Sequence, residues 1–375
     1  MPAPLLSLVA TCVLGLEEFL DAELAELGVG RRERQRGAVT FAGSWEDCWR
    51  ANWRLRTANR VLVELGRFTA VDGPGLAAGA RALIKGRDPG ALLHPDRSFA
   101  IHATVADSAI RDSRWAALSV KDGLVDGQRE RYGRRADVDR QDPDLHLRLR
   151  LHGTEATLLL DTSGEPLDHR GYRTVSAAAP VREQLAAACV LASGWNGTGP
   201  VVDPLCGSGT LLVEAAWIAL GRAPGALRER WAFERLPSFD AAAFERLRRE
   251  PLPAPGPGVR LYGNDLAPAA LRAARTNLDR AGLAGRATLI RGDFRQLAPP
   301  AEGPGLIVAN PPYGERVREE EDQWRALGDL LKRRFKGWRA AVLAGGQSRG
   351  KGIGLRPRRR IPVWNGPIEA RILLF

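Results

Sequence analysis

Four short apolar segments, each running into an acid or an amide, set the tightest limit on how this 375-residue chain can fold. They span residues 199–203, 259–265, 287–293 and 305–310, and they end in Asp203, Asp265, Asp293 and Asn310. Helical apolar spacing fills residues 210–220 and 268–281 between them. Strands that alternate with helices of that length must run parallel, because each crossover returns the chain to the same end of the sheet. Ligands of such sheets gather at the carboxyl ends of the strands, where the four polar residues lie. The last residues change sense, since 360–364, Asn365-Gly366 and 367–375 read as an antiparallel hairpin with a tight Asn-Gly turn. A mostly parallel sheet closed by an antiparallel hairpin is therefore expected.

Upstream the rhythm differs. Strand patterns at 5–11, 38–41 and 61–68 alternate with helical patterns at 14–27 and 45–59, which predicts a small α+β layer. The glycine-rich stretch 72–79 reads as a connector. A second α+β unit follows, with strands at 99–105, 145–151 and 155–161 and a helix at 115–130. We therefore expect three domains: 1–68, 69–162 and 163–375.

Composition excludes several classes. Lys and Arg number 55 against 44 Asp and Glu, a net charge of +11, and a positive field with guanidinium forks favours a polyanionic partner. The competing reading is a soluble basic surface without a partner. Arg111, Arg114, Lys121, Arg129, Arg131, Arg134 and Arg135 crowd one helix and its flanks, and a second cluster holds Lys332, Arg333, Arg334, Lys336, Arg356, Arg358, Arg359 and Arg360. Either can be a solvated face or a phosphate-contacting one. The four cysteines are scattered without any C-x-x-C pair, and only five histidines accompany them, so neither zinc nor a disulfide framework is expected and a reducing cytoplasm is. Residues 1–16 are apolar but lack a basic start and run into Glu17, Glu18 and Asp21, so a strand and helix are expected rather than a signal peptide or a membrane span.

The chemistry concentrates in three places. Asp203-Pro204-Leu205-Cys206-Gly207-Ser208-Gly209-Thr210 joins the first parallel strand to its helix. Gly207 and Gly209 permit a tight turn and close ligand approach, and Thr210 stands where a cap or first-turn hydroxyl would, beside free N–H groups. The phosphate-loop and dinucleotide fingerprints are both incomplete here. Cys206 reads best as a packed loop residue. Asp265 can accept two ribose hydroxyls, and Asp293 an adenine amino group with the Phe294 ring over the base; each acid alone could equally be a cap. At successive strand ends, however, they outline an adenosine pocket. Finally, Asn310-Pro311-Pro312-Tyr313 offers an amide oxygen and a rigid carbonyl to one amino group, with Tyr313 to stack on a base. These features together suit transfer of a methyl group from S-adenosylmethionine to an exocyclic amine, although Pro-Pro also occurs in structural turns.

On these residues the chain resembles bacterial 23S rRNA guanine-N2 methyltransferases of the THUMP-containing class. Further matching stretches are Ala10-Thr11-Cys12, Gly15-Leu16-Glu17-Glu18, Arg170-Gly171-Tyr172-Arg173, Val181-Arg182-Glu183, Gly263-Asn264-Asp265 and Asn365-Gly366-Pro367-Ile368-Glu369. The resemblance implies an N-terminal ferredoxin-like domain, a THUMP RNA-binding domain and a Rossmann-like methyltransferase domain. It also implies 23S rRNA as partner, guanine N2 as target and no metal. Some members carry a second methyltransferase domain, so a single modification is expected of this chain. Gly345-Gly346-Gln347 resembles a methylated-glutamine motif of another protein class, which we read as coincidence. Three alternatives remain at this level: tRNA guanine as substrate, DNA adenine as substrate, and an RNA-binding assembly factor with a vestigial catalytic fold. Oligomeric state is not legible.

Overall fold

In the computed structural model, residues 5–86, 92–174, 181–301, 303–312, 317–346, 350–366 and 368–375 are described. Two seven-stranded sheets organise them. The first contains β1 (Leu6–Cys12), β2 (Glu33–Gln35), β3 (Ala38–Gly43), β4 (Ala58–Thr69), β5 (Phe99–Ala106), β6 (Leu145–His152) and β7 (Glu155–Asp161). Their order is β2-β3-β1-β4-β7-β6-β5. The two expected α+β units thus share one sheet, because β4 pairs antiparallel with β7 from Leu62↔Asp161 to Thr69↔Glu155. Among the described residues, no helix is long and apolar enough to cross a membrane.

Helices α1 (Glu17–Glu26), α2 (Trp45–Arg54), α3 (Gly73–Gly86) and α4 (Ser113–Tyr132) accompany this sheet. A capping box starts α2: Ser44 Oγ accepts from Asp47 N at 3.2 Å and the Asp47 carboxylate accepts from Ser44 N at 2.8 Å. Two expectations fail here for physical reasons. The helix expected over 45–59 stops at Arg54, because the Glu23 carboxylate takes the backbone N–H of Arg56 at 2.7 Å and of Thr57 at 2.9 Å. Those donors are satisfied outside a helix, and the chain turns directly into β4. The connector expected at 72–79 is the first half of α3. Its glycines serve close packing, since a Cβ at Gly79 would lie 2.1 Å from the Phe68 ring. Across the helix pair, a Cβ at Gly123 of α4 would lie 2.1 Å from the Ala77 carbonyl oxygen, so two backbones meet where most helices interpose side chains.

The second sheet contains β8 (Val201–Asp203), β9 (Leu261–Asp265), β10 (Ala287–Arg291), β11 (Leu306–Ala309), β12 (Arg339–Gly345), β13 (Arg359–Asn365) and β14 (Ile368–Leu374), in the order β10-β9-β8-β11-β12-β14-β13. The first five pair in parallel, and β14 lies antiparallel between β12 and β13. The expected C-terminal hairpin is present, with Gly366 at φ +64° in its turn. Helices α5 (Glu183–Ser193), α6 (Thr210–Ala219), α7 (Ala241–Arg249), α8 (Pro268–Arg280) and α9 (Val317–Arg333) complete this half.

Residues 220–260, between α6 and β9, strap the halves together. Trp231 stacks on Phe233 at 5.5 Å, Trp53 of α2 meets Phe244 edge-on at 6.1 Å, and Trp49 meets Phe239 at 5.5 Å. Such rings bring large apolar area to one interface and prefer these tilted contacts. Arg54 adds an ion pair to Glu250 at 2.8 Å. Arg235 reaches the Pro143 carbonyl at 3.0 Å, just before β6.

Candidate active site at the carboxyl ends of the second sheet

Asp203 ends β8 with 1% of its surface exposed. Its Oδ1 accepts from Leu205 N at 3.1 Å, yet burial, reinforced by the nearby Asp265 charge, pushes the carboxyl up to about 8. Beyond it, Gly207 and Gly209 adopt φ +51° and +82°, which side-chain-bearing residues rarely do. Gly207 N donates to Asp265 Oδ2 at 3.0 Å, and Ala267 N donates to Asp265 Oδ1 at 2.9 Å. The glycine loop and the end of β9 are therefore joined by a direct bond. Asp265 keeps acceptor capacity beyond these two bonds, since a carboxylate has about four lone-pair positions.

The smaller loop residues fall into supporting places. Cys206 is buried and its thiol is pushed up by that burial, so it is a packed residue rather than a nucleophile. Ser208 is buried, and its carbonyl accepts from Asn277 Nδ2 at 3.0 Å. Thr210 opens α6 just after its cap residue Gly209, and its hydroxyl accepts from Arg173 Nη2 at 3.0 Å. Pro204 gives its carbonyl to Asn264 Nδ2 at 3.0 Å, and the same amide reaches the Gly292 carbonyl at 2.9 Å. Asn264, buried on β9, thereby clasps the loops that follow β8 and β10. It was visible in the sequence only as part of Gly263-Asn264-Asp265, and a buried amide between two acid-bearing loops is the signal that marks it.

Asp293 lies two residues beyond β10, where its Oδ1 accepts from Arg295 N at 3.0 Å and opens a short 3-10 turn. Asp293 therefore caps that turn, and a carboxylate keeps acceptor capacity beyond one such bond. Phe294 departs from expectation: it is 4% exposed and packs with Val202, Ile307 and Trp324 in the core beside α9. An aromatic side chain following a strand gains more from that core than from standing open over a ligand. Leu266, by contrast, is 64% exposed directly after Asp265. Asn310 follows β11, half-buried, with Pro311 buried and Pro312 exposed. Because β11 pairs with β8 through Leu306↔Val201 and Ile307↔Val202, Asn310 and Asp203 emerge from neighbouring strands at the same sheet end. Tyr313 and Gln347 lie outside the described residues.

No group of His, Cys, Asp and Glu suited to a metal occurs among the described residues, and all four cysteines are free and buried. The expected cationic faces divide. Lys121, Arg129 and Arg134 pair with Asp122, Asp126 and Asp96, and Arg131 donates to the Ile84 carbonyl. Arg359 pairs with Glu18, Arg358 donates to the Ser193 carbonyl, and Arg334 donates to Gln296 O. Arg111, Arg114, Arg135, Lys336, Arg356 and Arg360 stand exposed.

A sheet in this strand order, with a glycine loop after its central strand and acids at the adjoining strand ends, defines a class I methyltransferase fold. The chain belongs to the family described as RMKL-like, methyltransferase domain, which matches residues 170–372. The RlmL ferredoxin-like domain matches residues 7–62 and the THUMP domain residues 82–161. The ribosomal RNA large subunit methyltransferase K/L of Allochromatium vinosum is 40% identical over 372 residues, covering 96% of this chain and 50% of that protein. The chain thus spans about half the length of the K/L relatives it matches. A Synechocystis sp. protein named "Putative RNA methyltransferase slr0064" is 35% identical, with 98% of this chain and 95% of that protein covered. The crystal structure of SMU.472 complexed with SAH superposes with a TM-score of 0.88 at 27% identity, covering 99% of this chain and 98% of that one.

Proposed function

We propose that the protein uses S-adenosylmethionine to methylate the exocyclic N2 of a guanine in large-subunit ribosomal RNA, in the cytoplasm. The observation that carries this reading is the Gly207–Asp265 bond, which joins the glycine loop to the end of β9 beside the strand that delivers Asn310-Pro311-Pro312. Asp203 would take the ammonium of the donor's methionine, Asp265 its ribose hydroxyls and Asp293 its adenine amine. Leu266, rather than Phe294, offers the apolar surface against the adenine. The donor supplies an electrophilic methyl on a sulfonium.

What the protein must supply is alignment. A guanine amine is conjugated to its ring and is a poor nucleophile, so holding it in line is the main lever on the rate. The Asn310 amide oxygen and the Pro311 carbonyl both accept from N–H, and two acceptors on one amine fix its lone pair toward the methyl group. Pro311 is buried, and a hydrogen bond made away from bulk water is stronger than one made in it. A target within a duplex has to leave its stack to reach Asn310. The THUMP stretch and the exposed arginines supply RNA contact in this reading.

Transfer of a tritiated methyl group to ribosomal RNA from a strain lacking the gene, followed by nucleoside digestion, tests the proposal. N2-methylguanosine is the expected product, and label in adenosine, in tRNA alone or in DNA overturns it.

A further inference from the structure

Strand β5 lies at one side of the first sheet, where β6 is its only neighbouring strand among the described residues. Hydrogen bonds at its two ends fix which residues face the free edge. The Ser98 carbonyl accepts from Leu145 N at 3.0 Å and the Ala106 carbonyl from Gly153 N at 3.0 Å, both on the β6 side. Backbone polar groups alternate sides along a strand, so Ile101, Ala103 and Val105 present their N–H and C=O groups outward. Natural sheets protect such an edge with charges, a proline, a bulge or a very short strand. The eight residues FAIHATVA hold no acid, lysine, arginine or proline, and they pair with β6 without a break from Phe99↔Leu145 to Ala106↔His152.

Only the start of the edge is taken. Phe99 N donates to the Asp137 carbonyl at 3.0 Å, and Phe99 bridges Val138 in parallel. The edge thus accepts one extended residue of this chain, and among the described residues that pairing goes no further. Beside it runs a groove of about 490 Å³ between β5 and the first half of α4, lined in part by Ile101, Ala103, Leu118 and Val138. Leu118 is 43% exposed and Val138 39%, so two large apolar side chains stand in water at one place. Arg114 and Arg140 also line the groove, exposed and without an ion pair or side-chain hydrogen bond among the described residues. The neighbouring acids do not neutralise them, since Asp112 caps α4 and Asp139 accepts from Gln141 N at 2.8 Å.

We propose that this groove takes an acidic, extended segment of a partner protein, which adds to the β5 edge as a further strand. Main-chain bonds to Ile101, Ala103 and Val105 supply the affinity, apolar side chains on its α4 side cover Leu118 and Val138, and its acids meet Arg114 and Arg140. The open row of amides decides between occupants. A nucleic acid strand has no repeating N–H and C=O groups with which to continue a ladder, and a second copy of this chain would bring the same arginines face to face. Arg111, Arg135, Lys336, Arg356 and Arg360 remain for RNA.

The test uses the full chain and two fluorescein-labelled probes, a short peptide of alternating glutamate and valine and an oligouridylate of equal length. Anisotropy should show the peptide binding the wild type, and amide exchange over residues 101–105 should slow when it does. Ala103→Pro removes the central outward N–H while leaving the β6 side intact, and should weaken the peptide at least about 10-fold. Arg114→Glu combined with Arg140→Glu should weaken it by about 10-fold and should admit instead a peptide with lysine in place of glutamate. Thermal melts and S-adenosylhomocysteine binding should stay at wild-type values, which separates a lost groove from a lost fold. The charge reversal and the exchange pattern decide the matter even where Ala103→Pro lowers the melting temperature. Absence of peptide binding, or unchanged amide exchange in its presence, overturns the proposal. Oligouridylate binding that the double reversal abolishes and Ala103→Pro spares, with the peptide excluded, overturns it in favour of an RNA contact.

Discussion

Arg56, two residues before the first sheet's longest strand, donates to the Arg222 carbonyl at 2.7 Å, just beyond the far end of α6. The same guanidinium reaches the Trp217 carbonyl at 3.4 Å. Cations at a helix C-terminus are favoured by its dipole, and here the cation comes from the other half of the molecule. The helix that follows the glycine loop is therefore gripped at its start by Arg173, at its middle by Arg170 and Tyr172 through Glu214, and just beyond its end by Arg56. Position of the N-terminal sheet and position of the glycine loop are not independent.

The first prediction concerns catalysis. Asn310→Ala removes one of two acceptors for the amine and should lower the transfer rate by at least about 100-fold, equivalent to about 2.7 kcal/mol. S-adenosylhomocysteine affinity should stay within about threefold. Rapid-quench transfer assays and calorimetry on the same preparation separate the two, and a variant with wild-type rates removes Asn310 from the mechanism.

Proton linkage at Asp203 gives the second. Burial raises its folded pKa to about 8 from the ordinary carboxylate range, so its stabilising contribution is full below about pH 4 and is lost as pH rises through 8. Binding an ammonium needs the ionised form. Donor affinity should therefore rise between pH 6 and about 9, and binding near neutrality should release a proton. Calorimetry in buffers of different ionisation enthalpy measures that release. Asp203→Asn should flatten the profile and weaken S-adenosylhomocysteine while raising thermal stability above pH 8.

A third prediction tests the α3–α4 contact. Gly123→Val would drive a branched side chain into the Ala77 carbonyl, and the backbone there cannot yield as a side chain would. Destabilisation of at least about 2 kcal/mol is expected by urea titration. The same change at Gly133, where a Cβ meets nothing within 4 Å, loses only the relief of its φ of +70° and should cost less.

The aromatic strap supplies a fourth. Phe244→Ala removes a ring that touches Trp53, Trp231, Phe233 and Phe239, for an expected loss of about 3–5 kcal/mol. Tryptophan fluorescence and far-ultraviolet dichroism should report one shared transition in wild type. Their separation in the variant would mark the strap as what makes the two halves unfold together.

Reading the sequence succeeded where one physical pattern dominated. The acid-ended strands β8 and β9 stood out because apolar runs meet a charge at each end, and the β13–β14 hairpin because Asn365-Gly366 suits a tight turn. Helix α5 was missed because Glu183–Ser193 is buried on nearly every side, so it carries no polar stripe for periodicity to find. Strand β12 was missed for a related reason: RAAVLAG is alanine-rich and weak in β propensity, and only its central place in the sheet makes it a strand. At the site, the positions of Asp203, Asp265 and Asn310 at strand ends were legible. The inward turn of Phe294 was not, because it depends on the core beside α9, which no local pattern encodes. Asn264 and Arg173 were visible as family letters without a role, since their partners lie 60 and 37 positions away.

The shared pairing of β4 with β7 bears on how such a protein can be assembled by recombination. A cut between the ferredoxin-like and THUMP stretches would tear one sheet in two and leave a pair of raw strand edges, each a template for aggregation. The exchangeable cassette is therefore the whole first sheet, with its junction after Asp161. Even that cassette travels well only with a recipient whose crossover between its first two parallel strands carries an aromatic strap to receive α2. Swapping the N-terminal half between such proteins is thus a matter of matching two distant insertions rather than of choosing a linker.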